Sequence, residues 1–198
     1  MNIEHIIEDF IKANRELQNI GDSITIFGSS RLKEDSFYYQ KAQELGRRLS
    51  DMGYNIITGG SSGIMEASNR GAKISSKSQS IGLHMMNLPN EERPNLYLDK
   101  KLEFHHFCSR KFFLTNHSKA YIIMAGGFGT LDEFFEILNL VRTKNHPVVP
   151  IILFGSDYWS GLYEFMSSTM LEYKTINQND LELITLTDSI DEVIDTIG

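Results

Sequence analysis

The chain is short of cysteine, proline and positive charge, and it has no long apolar run. Its one cysteine, Cys108, leaves no partner for an intramolecular disulfide and no thiolate set for zinc, so a reducing compartment is the natural setting. Four prolines and no Gly/Ser-rich linker leave no candidate boundary, and residues 1–198 read as a single domain. No apolar stretch approaches the ~20 residues of a membrane span. The first twenty residues carry acids through their apolar positions and lack a basic flank, which predicts an amphipathic helix over about 3–19 rather than a signal peptide. A cytoplasmic protein without membrane contact is expected. With 19 basic and 26 acidic residues the net charge is −7, which argues against a partner made of nucleic acid.

What is present is an alternation of β-rich runs and longer helical patterns. The runs are Ile24–Gly28, Tyr54–Thr58, Ser80–Met85, Ala120–Met124 and Val148–Phe154, with weaker ones at Leu183–Leu186 and Leu102–His105. Between them, Tyr38, Ala42, Leu45 and Leu49 form one helical stripe, and Leu131, Phe134, Phe135 and Leu138 another. This order predicts an α/β fold: a Rossmann-like, doubly wound, mostly parallel sheet with helices on both faces. Ligands of such sheets sit at the carboxyl ends of the strands, so the residues just after each strand carry most information.

Three of those ends are rich in glycine or small hydroxyls and open into a helix: Gly28-Ser29-Ser30-Arg31, Thr58-Gly59-Gly60-Ser61-Ser62-Gly63, and Ala125-Gly126-Gly127-Phe128-Gly129-Thr130. Glycine permits positive φ and close backbone approach, and the helix that follows adds unpaired N–H groups and its positive dipole end. An anion such as phosphate can be held there without a lysine. One such turn is equally well explained as a tight βα connection; three on one rim favour a ligand. No GK[ST] follows the glycines, so the motif is not a Walker loop, and Asp132 stands where a dinucleotide fingerprint needs a small residue.

Glu133 has two readings. With Thr130 it spells T-x-x-E ahead of an apolar helix, the pattern of a capping box. Alternatively it is a carboxylate placed at the mouth of an anion-binding turn to act on another part of the ligand. Arg110 and Lys111 lie early in a helix predicted over Phe107–Ser118, where cations gain nothing from the helix dipole. They read either as an exposed basic pair or as groups facing an anionic ligand. His105, His106 and His117 have no metal-ligand spacing.

The segments TGGSSGIMEASNRGA, LPNEERPN, FCSRKFF and AGGFGTLDEFFEI, in that order, resemble the LOG family of nucleoside 5′-monophosphate phosphoribohydrolases, often labelled lysine decarboxylases. The resemblance runs from about Ile24 to Trp159. It implies that Arg110 and Glu133 are catalytic, and that Gly126, Gly127, Gly129 and Thr130 bind the phosphate, with Lys111, Gly59, Gly60 and Glu91 also toward the substrate. Two positions depart from the family pattern: Ala125 stands in place of a proline, and Val141-Arg142-Thr143-Lys144 in place of QTGK. The implied reaction is hydrolysis of the N-glycosidic bond of AMP or a modified AMP, without metal or organic cofactor, in a homodimer or higher homo-oligomer. The alternative is a non-catalytic nucleotide or cofactor carrier, which needs the glycine turn but not the Arg110/Glu133 pair. A decarboxylase would need a lysine forming a Schiff base with pyridoxal phosphate, and no lysine follows a strand in such a context.

Overall fold

The computed structural model describes residues 2–86 and 93–198. Seven strands occur among them: β1 Ser23–Phe27, β2 Asn55–Thr58, β3 Ser80–Met85, β4 Lys100–Phe104, β5 Ala120–Ile123, β6 Ile151–Phe154 and β7 Ile184–Thr187. They form one sheet in the order β4-β3-β2-β1-β5-β6-β7, and every pair of neighbours is parallel. The helices are α1 Ile3–Leu17, α2 Phe37–Asp51, α3 Ile64–Ser75, α4 Phe107–Thr115, α5 Phe128–Arg142, α6 Ser156–Glu164, α7 Gln178–Leu181 and α8 Ile190–Ile197. A π-helical turn, Phe165–Met170, prolongs α6.

The sheet is buried on both faces because its strands alternate between two cores. Ile24, Ile26, Ile122, Ile152 and Phe154 join Leu45 and Leu49 of α2, Ala67 of α3 and Val193 of α8. Phe27, Ile57, Tyr121, Ile123 and Leu153 face the other way, toward Ala13 of α1, Phe113 of α4, Phe134 of α5 and Trp159 of α6. This is the doubly wound α/β architecture that the alternating pattern predicts. From β1 the chain winds outward to β4, returns beside β1 as β5, and continues outward on the other side. The reversal between β1 and β5 opens a crevice at their carboxyl ends.

Several boundaries differ from expectation for local reasons. The run Val148–Phe154 pairs only from Ile151, since Pro150 has no N–H to give to a ladder. The helix expected over Phe107–Ser118 stops at Thr115, where the Thr115 hydroxyl donates to the Lys111 carbonyl and the Asn116 side chain to the Phe112 carbonyl. The stripe on α1 divides: Ile6 and Phe10 are half-buried, while Ile3, Ile7 and Ile11 stay exposed.

Candidate active site

The crevice is a cleft of about 1040 Å³, lined after β1 by Gly28–Leu32, after β2 by Gly59 and Ser61, at the end of β3 by His84 and Met85, and after β5 by Ala125–Glu133. Arg110 and Phe107 of α4, Met65 of α3, Tyr38 of α2 and Tyr158 of α6 complete its walls. Six segments far apart in sequence therefore converge on the switch point.

The glycine turn is held from two sides. The Ser29 N–H donates to the Ala125 carbonyl at 3.0 Å, and the Tyr158 hydroxyl donates to the Gly126 carbonyl at 2.7 Å. Its glycines serve different ends. A Cβ on Gly126 would lie 2.1 Å from the Thr130 hydroxyl oxygen, so that glycine is required by packing. At Gly127 and Gly129 a Cβ would meet nothing within 4 Å, and neither has positive φ. Of the two freedoms glycine offers, positive φ is used in the turn after β2, at Gly60 and Gly63, and not in this one. Neither sterics nor conformation demands glycine at 127 or 129; the space in front of them is open toward the cleft.

The capping box at Thr130 and Glu133 does not form. Gly127 is the N-cap of α5 and makes no side-chain cap bond, so Thr130 is already the third helical residue. The glycine pair lets the helix begin three residues earlier than T-x-x-E suggests. One full turn into α5, Glu133 points back over the first turn, as helical side chains do. It is 8% exposed and its Oε2 is buried without a hydrogen-bond partner. Burial pushes its carboxyl up to about 7, against the lowering influence of Arg110 and Lys111.

Arg110 reaches the same cleft from α4. Its Nε donates to the Leu83 carbonyl at 2.6 Å, and its guanidinium occupies the space in front of Gly59, where a Cβ would stand 2.2 Å from Nη2. A Cβ at Gly59 would have to push aside the ends of both Arg110 and Met65, whose sulfur would lie 2.7 Å away. Two expected substrate contacts lie outside the cleft lining. Gly60, with φ of 74°, packs against Gly82 of the neighbouring strand. Lys111 turns instead to α5, with Nζ 2.9 Å from Asp132 and 2.8 Å from Glu136. Burial alone would lower its ammonium, and these two acids outweigh that and raise it. Glu91 lies outside the described residues.

Sequence reasoning did not find Tyr38, Tyr158, Met65, His84 or Met85. Tyr158 follows β6 by four residues, so the strand-end rule that found the glycine turns extends to it. The methionines carry no such signal, since thioethers line cores and clefts alike.

A family model described as possible lysine decarboxylase matches residues 65–197. The chain is 32% identical over 133 residues to an uncharacterized protein of Archaeoglobus fulgidus, covering 67% of this chain and 83% of that one. It is 25% identical over 150 residues to the cytokinin riboside 5′-monophosphate phosphoribohydrolase LOG3 of Arabidopsis thaliana, covering 75% and 69% of the two chains. Toward the cytokinin riboside 5′-monophosphate phosphoribohydrolase of Rhodococcoides fascians it is 23% identical over 155 residues, 76% of each chain. Among solved structures, the molybdenum cofactor carrier protein of Chlamydomonas reinhardtii has a similar fold, with a TM-score of 0.64 at 22% identity over 89% of this chain and 96% of that one. Since the matched segment spans well over half of the sequence and includes α4, the glycine turn and Glu133, the chain belongs to the LOG family, the family that carries the lysine decarboxylase description.

Proposed function

We propose that the protein hydrolyses the N-glycosidic bond of a nucleoside 5′-monophosphate, AMP or a modified AMP, giving the free base and ribose 5-phosphate. The observation that carries this reading is the buried, unpartnered carboxylate oxygen of Glu133 beside an open glycine turn at a helix N-terminus. A phosphate seated on Gly126–Thr130 meets the first N–H groups of α5, which have no intrahelical acceptor. That anchor holds the ribose over the start of the helix, so that remote binding energy positions the reacting carbon.

As the base departs, positive charge develops on the ribose ring, as in glycoside hydrolysis. The Glu133 carboxylate stabilises that charge and takes a proton from the attacking water; the hydroxyl adds to the anomeric carbon, and the base nitrogen gains a proton as its bond breaks. A pKa near 7 suits a group that must accept and return a proton at neutral pH. Arg110 supplies the nearby positive charge that keeps part of this carboxyl ionised.

The family's decarboxylase description fits the site poorly. None of the described residues lining the cleft is a lysine, so the Schiff base of a pyridoxal phosphate enzyme has no partner here. The shared fold with molybdenum cofactor carriers supports a second reading, binding without turnover. A carrier gains nothing from an ionisable carboxyl held under strain of burial. Incubation with AMP followed by chromatography for free adenine separates the two: release of adenine supports the hydrolase, and AMP bound but recovered intact supports the carrier.

A further inference from the structure

α1 precedes the segment that the family model matches, yet its buried side carries an acid. Asp9 is 3% exposed, which a carboxylate tolerates only when hydrogen bonds replace water. Its partners lie in the β4–α4 connection and the first turn of α4, about a hundred residues later. The N–H groups of His105 and His106 donate to Oδ2 at 2.9 and 3.3 Å, and the Ser109 hydroxyl donates to it at 2.7 Å. The His105 ring nitrogen Nδ1 lies 2.8 Å from Oδ1. Meanwhile His106, the N-cap of α4, makes no side-chain cap bond of its own. Asp9 thus supplies from another helix the negative charge that a helix start favours.

The clamp is braced along its length. The His5 ring stacks on His105 at 4.4 Å, and Phe10 packs on Phe112 and Phe113 at 5.1 and 5.4 Å. Burial pushes the Asp9 carboxyl up, and the bonds from Ser109, His105 and His106 outweigh it and hold it below the ordinary value. Ser109, the residue bonded to Asp9 through its side chain, immediately precedes Arg110. The guanidinium has little freedom beyond α4 itself, since it must thread between the Leu83 carbonyl and the gap at Gly59.

We infer that Asp9 is a positioning residue for Arg110: by clamping the first turn of α4 it sets how far the guanidinium reaches into the cleft toward Glu133. The effect on turnover rests on the hydrolase reading; the effect on Arg110 does not. Glu133 itself reports the position of Arg110. Among the described residues, the charged groups acting on it are Arg110 and Lys111 from α4, which lower it, and Glu136 and Asp132 from α5, which raise it. Withdrawing the guanidinium therefore moves its titration upward.

The test is carried out on the full chain with Asp9→Ala, Asp9→Asn and, as a comparator from the opposite face of the sheet, Val193→Ala in α8. The readouts are the Glu133 carboxyl titration by carbon NMR and the pH profile of adenine release from AMP. Asp9→Ala is expected to raise the Glu133 midpoint by about half a unit or more and to lower kcat by roughly tenfold or more, with KM for AMP little changed because the phosphate turn is untouched. Asp9→Asn keeps an oxygen for the two backbone N–H groups and recovers part of both. Val193→Ala lowers Tm and moves neither. If Asp9→Ala fails to fold, Ser109→Ala, which removes the bond nearest Arg110, gives the same reading. An unmoved Glu133 midpoint in a folded variant overturns the inference, even if wild-type protein releases adenine. A shifted midpoint in a protein that releases no adenine keeps the clamp and retires the hydrolase.

Discussion

Glu133 is held in a state that costs the protein stability. Below its ordinary value of 4.5 the carboxyl is protonated whether the chain is folded or not, and burial carries no ionic penalty. Between 4.5 and about 7 the folded protein retains a proton that the unfolded chain has lost, so stability falls as pH rises through that window. Above it the penalty is complete and on the order of 3 kcal/mol. Glu133→Gln is expected to abolish base release while AMP still binds. It is also expected to be more stable than the parent by about 1–3 kcal/mol near pH 8, with the gain vanishing below about pH 4.5. Urea unfolding at the two pH values measures it. A capping carboxylate predicts the reverse: stability lower by ~0.5–2 kcal/mol and turnover kept.

At the scale of elements, α4 and α5 divide the work of adjacent residues. Consecutive helical positions differ by roughly 100° in direction, so Arg110 and Lys111 leave α4 toward different hydrogen-bond partners even though both charges act on Glu133. Arg110 enters the cleft; Lys111 ties α4 to the acids of α5. Arg110→Lys is therefore expected to lower kcat/KM by roughly 10- to 100-fold despite keeping the charge, since lysine has no planar fork to bridge the Leu83 carbonyl and the cleft. Lys111→Ala is expected to leave turnover within about threefold and to cost up to ~1 kcal/mol, as partly exposed pairs do. The reverse ranking in steady-state kinetics would show that the pair had been assigned backwards. Gly59→Ala supplies a check from the opposite wall: its Cβ must displace Nη2 of Arg110, so it should mimic loss of the arginine while the phosphate turn keeps its affinity. These elements were legible from sequence to different depths. Strand periodicity located the sheet, and the glycine turns marked its ligand-bearing edge. Exact ends escaped, as at Pro150 and Thr115, because single side chains decide where a ladder or helix stops. The partners of Asp9 and the arginine lying on Gly59 escaped entirely: both depend on side chains brought together by the fold across long stretches of chain, and periodicity carries no trace of them. What the sequence did contain was an acid set among Ile6, Phe10 and Ala13 on a buried helical face, which is a signal for a tertiary partner without naming it.

At the scale of the molecule, the proposed function asks an acidic chain to bind an anion at one crevice. A net charge of −7 repels a polyanion as a whole, whereas the start of α5 presents backbone donors that depend on no side-chain charge. Such a site has a fixed capacity. A single terminal phosphate matches it; a nucleoside leaves the donors facing water and loses the anchor that positions the ribose. A triphosphate brings further charge to a cleft that has no Walker lysine, and among the described residues no group of His, Cys, Asp and Glu is arranged to hold a neutralising cation. Hydrolysis of AMP is accordingly expected to exceed that of adenosine and of ATP by about 100-fold or more in kcat/KM, corresponding to roughly 3 kcal/mol of lost transition-state anchoring. It is also expected to persist in the presence of a chelator, because on the proposed reading the phosphate is anchored by backbone N–H groups and not through a cation. Steady-state rates for the three substrates, with and without chelator, measure this. Comparable kcat/KM for AMP and adenosine would mean that the turn at Gly126–Thr130 does not anchor the substrate, and Glu133 would then have to be oriented toward the ribose by some other part of the cleft.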